Sequence, residues 1–378
     1  MTLEPKQAVV GKATFASSVM RSDSKAERDL IKSIGLPMLK PTIRSSGISD
    51  EQECPRKFMF GYRLGLKPKK YKSATTVGTH THRILGSLAE NNPWKYAYGV
   101  AHDKYQETLE ELEALASNVG MLPWGTPLDS VRTAAYKDFG LGAALAWFVW
   151  EHDPIDFDKW DVIATEKLIE IKWEGIKTPI RVRTDVLLRN KRTGGIYFID
   201  YKTTSQDPMD RIAMLHYELQ PKLYRVAVES MLQYPKDFNI NVIPGSKLEG
   251  VIHCIVKKPG IRVKQKENID QYIERAEADL REKMKDPNSV SPYARSMIRY
   301  TGPLVDEEFL FQLRAHDLAC RAHVSLPMFP RHAKACYNWN TPCEYMPLCQ
   351  GNVSSWKRTL DARFEVRSRD EDDMYEHA

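Results

Sequence analysis

The order of hydrophobic and polar positions predicts helices, then strands, then helices again. Residues 103–150 carry apolar side chains at helical spacing, with a break at MLPWGTP. β-branched and aromatic residues with intervening turn residues then predict three strands, at 161–172, 179–189 and 195–202. The remaining predicted elements are a long helix at 208–234, a strand at 249–258 and helices at 268–286 and 306–324. This order predicts an α+β fold with a mixed sheet flanked by helices.

The first part of the chain is predicted to contain a loosely held arm and two helices. Residues 1–44 mix Lys, Ser, Asp and Pro with weak periodicity and suggest an arm with one helix near 24–34. A helix starting after Ser46 or Ser49 would place Cys54, Phe58 and Tyr62 on one stripe. A second helix, starting at Gly78, would carry His82. Residues 351–378 are predicted to be a flexible tail.

Composition narrows the class of protein. The chain has 378 residues, 42% hydrophobic and 28% charged, the balance of a globular protein with a sizeable core. A net charge of +5 is compatible with a polyanionic partner. The longest apolar stretch, near 139–150, is too short to cross a bilayer, and the first residues lack a secretory h-region. We therefore expect a cytoplasmic protein without membrane contact, whose six cysteines do not pair as disulfides.

Two acidic residues and a lysine suggest catalytic chemistry. Asp185 lies in one predicted strand, and Asp200 and Lys202 share one side of the next, because alternate strand residues face the same way. Antiparallel pairing would bring the two acids together, where a hard cation such as Mg²⁺ or Mn²⁺ would relieve their repulsion. The lysine could orient and help deprotonate a water, or stabilise charge on a phosphate. By frequency alone, an Asp-x-Lys at a strand end is solvated surface.

Other motifs in the same sequence change this interpretation. The sequence has, in order, Gly78-Thr-His-Thr-His82, Asp185, Asp200-Tyr-Lys202 and Gln220-Pro-Lys-Leu-Tyr224. This set resembles the RecB-like branch of the PD-(D/E)XK nucleases, which includes AddB and the CRISPR-adaptation nucleases. The resemblance covers roughly residues 45–350 and implies a restriction-endonuclease-like core with a helical insertion at about 90–155. Each motif is weak alone, and the family often has glycine where this chain has Val182.

The resemblance also implies roles for the motif residues. His82, Asp185 and Asp200 would ligate Mg²⁺ or Mn²⁺, with the Tyr201 carbonyl as a further ligand. Lys202 would position the nucleophilic water. The catalytic group would be completed by two residues four apart on one helical face, which would hold the DNA backbone and the lysine: Gln220 and Tyr224. His80 is predicted to lie on the surface with a minor role at most, and Glu166 is interpreted as an exposed strand carboxylate that could approach the site.

Cysteine spacing predicts a second metal centre. Cys336, Cys343 and Cys349 lie inside one stretch of 14 residues that is rich in proline and aromatic residues. Core packing explains this clustering poorly, whereas a shared metal explains it well. Nucleases of the same branch place a fourth cysteine in a Cys-Pro-x-Lys-Phe segment, which matches Cys54 to Phe58 here. The resemblance implies a [4Fe–4S] cluster that clamps the two ends of the domain. Spacing alone leaves Zn²⁺ open, and Cys254 and Cys320 are interpreted as ordinary buried cysteines.

Basic residues interleaved with aromatic residues predict DNA contacts. The segment RKFMFGYRLGLKPKKYK offers groups that could track phosphates and stack on bases. The predicted contacts are Arg56, Lys57, Tyr62, Lys69 and Lys70. An equally weighted alternative places the aromatic residues in the core and the lysines in a solubilising loop. A second basic run at 257–266 is interpreted as the tip of a β-hairpin that could also touch DNA.

These expectations define three candidate functions. The first is a stand-alone exonuclease on single-stranded DNA ends in recombination, repair or genome processing, resembling nucleases of phages and prophages. No nucleotide-binding P-loop is present, so a helicase or recombination protein would have to be a separate partner. The second is a CRISPR-adaptation nuclease, and the third is a non-catalytic iron–sulfur DNA-binding subunit. Retention of Asp185, Asp200 and Lys202 argues against the third.

Overall fold

The computed structural model describes residues 39–366, except 118–119, 216, 265, 302–305, 323, 325–328, 339–340 and 352–354. The predicted helix near 24–34 and the acidic end of the tail lie outside the described residues. The strands are β1 Leu66–Pro68, β2 Trp160–Ile171, β3 Ile180–Asn190, β4 Ile196–Thr204, β5 Leu248–Lys257, β6 Tyr293–Arg299, β7 Tyr337–Asn338, β8 Thr341–Pro342 and β9 Phe364–Val366. The α-helices are α1 Ser45–Glu53, α2 Pro55–Phe58, α3 Ser73–Ala89, α4 Trp94–Leu115, α5 Leu128–His152, α6 Pro208–Leu215, α7 Leu219–Gln233, α8 Ile269–Lys285, α9 Glu307–Arg321, α10 Met346–Gln350 and α11 Trp356–Arg363.

A five-stranded mixed sheet with the order β2-β3-β4-β5-β6 forms the centre of the fold. The first three strands make the predicted antiparallel meander, and β5 then pairs parallel to β4. Parallel pairing requires a long crossover, and the helices α6 and α7 lie in that connection. β6 closes the other edge antiparallel to β5. The predicted α+β class with a mixed sheet flanked by helices is confirmed.

Helices cover both faces of this sheet and create two separate apolar cores. One core joins α7 to alternate strand residues such as Phe198 and Leu187, and it extends to α11 through Trp356. The other joins α3, α5 and α8 to the opposite strand residues, such as Val186 and Tyr201. Strand alternation explains this division, because successive side chains point to opposite faces. Of the helices in the described part of the chain, none combines the length and apolar character that a bilayer crossing would require.

The helix that carries the first cysteine motif is broken at the cysteine. Cys54 has an extended backbone (φ −159°, ψ 107°) and separates α1 from α2, in which Pro55 takes the first position. Proline lacks an N–H and restricts the residue before it, so a helix readily ends there. A π-helical turn at Met59–Arg63 follows. The single stripe predicted for Cys54, Phe58 and Tyr62 is therefore wrong, although Phe58 and Tyr62 do stack at 5.6 Å.

The helix that carries His82 begins earlier than predicted. It starts at Ser73 rather than Gly78, and its first residue donates a hydrogen bond to the buried Asp138 of α5 (2.7 Å). The two helices pack closely, since a Cβ on Gly142 would stand 2.7 Å from the His80 Cβ. Only glycine permits this approach, so α5 fixes the position of α3. The predicted helical insertion is thus packed into the second core through α5.

Both predicted loose ends contain ordered residues. Ile43, at the end of the predicted arm, is fully buried and its N–H donates to the Pro179 carbonyl at 2.7 Å. In the predicted tail, α11 buries Trp356, and β9 pairs antiparallel with β1. The predictions of a loose arm up to residue 44 and a flexible tail from residue 351 are therefore wrong for these parts. Apolar side chains in both segments contribute to the first core.

Three further elements differ from the prediction. The long helix predicted at 208–234 forms two helices, α6 and α7. The basic run at 257–266 is not a hairpin tip, because β5 ends at Lys257 and its antiparallel partner β6 comes only after α8. β6 itself was not predicted. Its residues alternate between buried and exposed at one edge of the sheet, and its polar composition gave only a weak strand signal.

Candidate metal and catalytic site

Three side chains from different elements form a group that could hold a metal ion. His82 of α3, Glu166 of β2 and Asp185 of β3 each offer a ligand atom, and these atoms all lie within 4.8 Å of one another. His82 and Asp185 are 7% and 4% exposed. The His82 Nδ1 stands 3.3 Å from an Asp185 carboxylate oxygen. Metal–ligand bonds of about 2.0–2.2 Å require ligands at nearly this separation. The donor set therefore fits a divalent cation.

Strand register explains how the acidic residues meet. The pairs Thr165↔Val186 and Lys167↔Thr184 place Glu166 opposite Asp185. The β3–β4 register that ends at Val186↔Ile199 places Asp185 next to Asp200, and Asp200 in turn pairs with His253 of β5. One row across four strands therefore carries Glu166, Asp185, Asp200 and His253. Their separation in sequence is large, but in the sheet they are neighbours.

Where β3 and β4 stop pairing, the Asp185 side chain supplies the hydrogen-bond acceptor that a strand carbonyl would otherwise supply. Its Oδ2 accepts a hydrogen bond from the Tyr201 backbone N–H at 2.7 Å. A buried N–H needs an acceptor, and the carboxylate supplies one in place of a strand carbonyl. This bond fixes the orientation of Asp185 while its other oxygen remains beside His82. The predicted proximity of Asp185 to the second acidic motif is therefore present in the structure.

Asp200 is held by two cationic or hydrogen-bonding neighbours. Its Oδ1 lies 2.9 Å from the Lys202 Nζ, and its Oδ2 lies 3.0 Å from the His253 Nδ1. The predicted sharing of one strand face by Asp200 and Lys202 is thus observed. His253, which is 1% exposed, was not predicted. Its only sequence signal is a histidine within an otherwise apolar strand, and its relation to Asp200 depends on the parallel β4–β5 pairing.

Opposite charges at this site stabilise the ionised forms of their neighbours. Burial opposes ionisation of Asp200, but Lys202 and His253 lower the pKa of this carboxyl below its usual range. Burial also opposes the charge on Lys202, yet Asp200 and Asp185 raise its pKa. The pKa of His82 is likewise raised by Asp185 against the effect of burial. The lysine is therefore a fixed ammonium group, while Asp200 is a carboxylate.

Glu166 has an unusual backbone conformation for a strand residue. Its φ is +45°, in the left-handed region that residues other than glycine rarely adopt. Such a conformation costs about 1–3 kcal/mol and is found most often at functional sites. The side chain is partly buried in the group with His82 and Asp185. The interpretation of Glu166 as an exposed carboxylate is therefore wrong, because the kinked strand turns it toward the site.

The Gln–Tyr motif lies on the helix that covers the Asp200 face. In α7, the Gln220 Nε2 donates to the Tyr224 hydroxyl at 3.0 Å, as expected for residues four apart. The Tyr224 ring packs 6.0 Å from Phe198, which shares a face of β4 with Asp200. The motif is therefore adjacent to the acidic row. Its predicted contact with the active-site lysine remains a prediction.

A cleft opens beside the metal-binding group. It has a volume of about 440 Å³ and lies between α3, α4 and β2. His82 and Glu166 line it together with Arg83, Arg183 and Tyr96. The two arginines favour an anionic ligand, because guanidinium groups form charge-assisted hydrogen bonds with phosphates. The cleft thus gives the site an entrance suited to a phosphodiester.

The four predicted cluster cysteines converge on one region, but their sulfur atoms are not tightly grouped. The Cys343 backbone N–H donates a hydrogen bond to the Cys336 carbonyl at 2.8 Å. Burial, together with the nearby Cys54 and Cys343 sulfurs, raises the pKa of Cys349 to about 11. Among the described residues, no three cysteine sulfurs lie within 4.8 Å of one another. Cys254 and Cys320 are buried, as expected.

The structure separates the predicted DNA contacts into two groups. Arg56 is buried and donates to the Phe329 carbonyl at 2.6 Å, so its predicted DNA contact is wrong. Lys57 pairs with Asp50 at 2.8 Å, and Tyr62 packs against the first core. These side chains stabilise the protein instead. Lys69 and Lys70 line an open cavity, where Lys70 is exposed and the Lys69 Nζ donates to the Asp361 carbonyl at 3.0 Å.

Comparisons with known proteins agree with this geometry. A mixed sheet with a row of carboxylates, a lysine and a histidine beside an arginine-lined cleft is an arrangement that a metal-dependent phosphodiesterase could use. Residues 45–350 match the model of the PD-(D/E)XK nuclease superfamily, and the chain belongs to this superfamily. Its members are nucleases that use divalent metals and act on DNA.

Other comparisons add no functional argument. A search of curated proteins found no significant sequence match. Several solved structures match, among them one titled "Crystal structure of SSO0001", with 14% identity, coverage of 81% of this chain and 86% of that chain, and a TM-score of 0.27. This likeness is too weak to support conclusions about the fold or the function.

Proposed function

We propose that the protein is a RecB-like exonuclease that hydrolyses single-stranded DNA from its ends in recombination, repair or genome processing. The observation that carries the proposal is the cross-strand row of Glu166, Asp185 and Asp200 beside Lys202 and the arginine-lined cleft. The preference for single-stranded ends rests on the resemblance of the sequence motifs. The family membership supports the underlying nuclease activity.

In this proposal, His82, Glu166 and Asp185 hold Mg²⁺ or Mn²⁺, because their ligand atoms are already grouped. Asp200 and the Tyr201 carbonyl complete the set, with Asp200 exchanging its contact to Lys202 or His253. The bound metal supplies Lewis-acid activation of a water and of the scissile phosphate. Compared with the ligand set implied by the motifs, this assignment adds Glu166.

Lys202 acts as a cation rather than as a base. Since Asp200 and Asp185 raise its pKa, it keeps its proton near neutral pH. It can then donate a hydrogen bond to the attacking water or to a non-bridging phosphate oxygen, where negative charge develops. His253 keeps Asp200 oriented from the other side. Gln220 and Tyr224 hold the DNA backbone in this proposal.

The cysteines fit a [4Fe–4S] cluster better than a single zinc ion. A tetrahedral zinc with Zn–S bonds of about 2.3 Å brings its sulfurs within roughly 4 Å. The described cysteine sulfurs show no such trio. A cube-shaped cluster separates its four thiolates more widely than a single zinc ion does. We therefore propose that Cys54, Cys336, Cys343 and Cys349 bind such a cluster.

The test is digestion of end-labelled linear and circular single-stranded DNA with Mg²⁺ or Mn²⁺. We expect linear DNA to be digested and circular DNA to resist. Asp200→Asn should reduce the rate by about 10²–10³-fold or more, because it removes a charged ligand of the proposed metal ion that activates the water and the phosphate. The matched control is Asp161→Asn, an exposed carboxylate on β2 whose partner is Arg189.

Each result has a defined meaning. Cleavage of circular DNA would replace the exonuclease with an endonuclease. Equal rates for Asp200→Asn and wild type would remove the assigned site. If no metal supports digestion while single-stranded DNA still binds, the protein is a non-catalytic DNA-binding subunit.

A further inference from the structure

A second cavity lies at the other end of the helix that carries His82. It has a volume of about 280 Å³ and is formed by the β1–α3 connection, the first turns of α3, the second half of α4 and the loop that carries Trp124. Its lining combines lysines and threonines with an indole and leucines. No role in the proposed hydrolysis accounts for this combination. Small-ligand sites commonly join an apolar wall to a few polar groups in this way.

The apolar wall is built around Trp124. Its side chain is partly buried and packs against a small core that contains Leu112 and Leu122. The loop is closed by its own hydrogen bonds, including Leu122 N–H to the Thr126 carbonyl at 2.9 Å and Leu128 N–H to the Gly120 carbonyl at 2.9 Å. These bonds hold the loop backbone that carries Trp124 beside the cavity. A flat aromatic surface of this kind can stack on a nucleobase.

His80 adds a buried polar ring to the cavity. It lines the cavity while being only 2% exposed, and its ring packs against Phe139 at 5.3 Å. The predicted surface position of His80 is therefore wrong. Its Nδ1 is buried without a hydrogen-bond partner among the described residues. A buried polar atom without a partner is uncommon and suggests a ligand.

Lysines surround the opening of this cavity. The lining lysines are Lys67, Lys69, Lys70, Lys72 and Lys104. Lys67, Lys72 and Lys104 pair with Glu365, Glu344 and Glu107, each at 2.8 Å. The Lys69 Nζ donates to the Asp361 carbonyl at 3.0 Å. Surface pairs of this kind contribute little energy, so a phosphate can replace the carboxylate. The opening is thus complementary to a polyanion, whereas the wall is complementary to an uncharged ring.

The cavity leads directly to the proposed catalytic cleft. Thr79 lines both spaces, and the stripe of α3 that carries Thr76 and Thr79 continues to His82 and Arg83. At a rise of 1.5 Å per residue, Thr76 and His82 are about 9 Å apart along the helix axis. A DNA strand that follows α3 could therefore occupy both spaces at once.

We propose that this cavity binds an unpaired base of single-stranded DNA, with Trp124 and His80 contacting the base and the surrounding lysines contacting its phosphates. This inference deepens the proposed function and rests on it, because it concerns the strand that the catalytic site would cut. A base in a duplex would have to unpair before it could enter. The cavity therefore favours single strands over duplexes independently of the metal site.

The experiment measures binding without hydrolysis, in EDTA, so that it does not depend on the catalytic residues. A fluorescent single strand is compared with a strand of the same length made of abasic residues, and with a duplex. Stacking of one base corresponds to about a 5- to 150-fold difference in affinity. We expect wild type to prefer the base-bearing strand by a factor in this range. Trp124→Ala should remove most of this preference.

Controls separate base recognition from general attraction and from misfolding. Trp173→Ala, at a partly buried tryptophan packed against the other core, should retain the preference. Lys70→Gln, at an exposed lysine, should lower the affinity for the base-bearing and abasic strands by the same factor. It should also lower the salt dependence of binding. Thermal unfolding must show that each variant is folded, and Trp124→Phe, which keeps an aromatic ring, should restore part of the preference.

The outcomes identify which idea has failed. Equal binding of base-bearing and abasic strands by wild type would overturn the base-binding cavity, as would an unchanged preference in folded Trp124→Ala. If the preference is lost in Trp124→Ala but no metal ever supports digestion, the cavity stands and the nuclease proposal fails. A preference that persists together with Asp200-dependent digestion would place base recognition elsewhere in an active nuclease.

Discussion

The carboxylate row and the cysteine region differ in what holds their ligands in place. The acidic row lies on paired strands, where backbone register fixes the spacing of Asp200 and His253. The cysteines lie at a helix break, in single helical turns and in a loop, with Cys336, Cys343 and Cys349 all partly exposed. Three ligands, His82, Glu166 and Asp185, are prearranged in the first region, but no trio of described sulfurs is close in the second. Strand pairing therefore orders ligands without a metal, whereas irregular backbone leaves that ordering to the bound group.

This difference suggests different effects of metal loss in the two regions. Removing the cation from the sheet should abolish chemistry and leave the fold intact, because hydrogen bonds such as Tyr201 to Asp185 remain. Removing the proposed cluster should loosen the fold, because the cluster would join Cys54 to cysteines nearly 300 residues later in the chain. A cross-link over so long a loop contributes strongly to stability.

The largest expected effect is loss of the cluster. The double substitution Cys343→Ser with Cys349→Ser should remove bound iron and the visible absorption of the cluster. It should also lower the free energy of unfolding by about 5 kcal/mol, by analogy with closure of a loop longer than 100 residues. Iron analysis and chemical denaturation under anaerobic conditions measure both quantities.

Cys320→Ala provides the matched control, because Cys320 is a buried free cysteine of α9 outside the proposed cluster. This control should retain iron and lose only about 1 kcal/mol. Retention of iron by the double variant would contradict the assignment of the ligands. Zinc in place of iron in the wild type would keep the site and change its occupant.

A smaller effect concerns the metal at the sheet. Glu166→Gln keeps the shape of the side chain but removes its charge, so we expect Mn²⁺ affinity to fall by about 10- to 100-fold. Titration calorimetry measures this affinity. Glu170→Gln, an exposed carboxylate on the same strand, should leave it unchanged. If Glu166→Gln binds Mn²⁺ normally while Asp200→Asn does not, the ligand set is the one implied by the motifs alone.

The smallest effect tests a buried carboxylate that lacks the cations of the site. Burial raises the pKa of Glu277 on α8 to about 7, although Arg281 opposes the shift. The folded protein therefore binds a proton that the unfolded chain releases, and wild type should lose stability as pH rises from about 4.5 to about 7. Glu277→Gln should abolish this loss and be more stable than wild type by about 2 kcal/mol at pH 8.

Denaturation curves at pH 5 and pH 8 measure this difference, and Glu274→Gln, at an exposed position of the same helix, serves as the control. An equal difference between wild type and Glu277→Gln at both pH values would contradict the raised pKa. In contrast to Glu277, Asp200 is held as a carboxylate by Lys202 and His253, which lower its pKa. Comparing Glu277 with Asp200 would show how far Lys202 and His253 counteract the effect of burial on the pKa of Asp200.

The sequence by itself determined the strands that carry the acids, their order and the motif residues on them. Local period and turn residues decide strands such as β3 and β4, and alternation alone predicts that Asp200 and Lys202 share a face. The helical spacing of Gln220 and Tyr224 is equally local. These features depend on residues that are close in the chain, so their pattern is visible without a fold.

Only the tertiary structure decided which distant residues join them. The role of His253 depends on a parallel pairing across the crossover that contains α6 and α7, and Glu166 depends on a left-handed residue within a strand. His80 is buried because Gly142 of α5 allows a close approach. The Arg56 side chain is buried where it donates to the carbonyl of Phe329, a residue far along the chain. Such contacts are set by packing between segments, and local hydrophobic pattern carries no information about which segments meet.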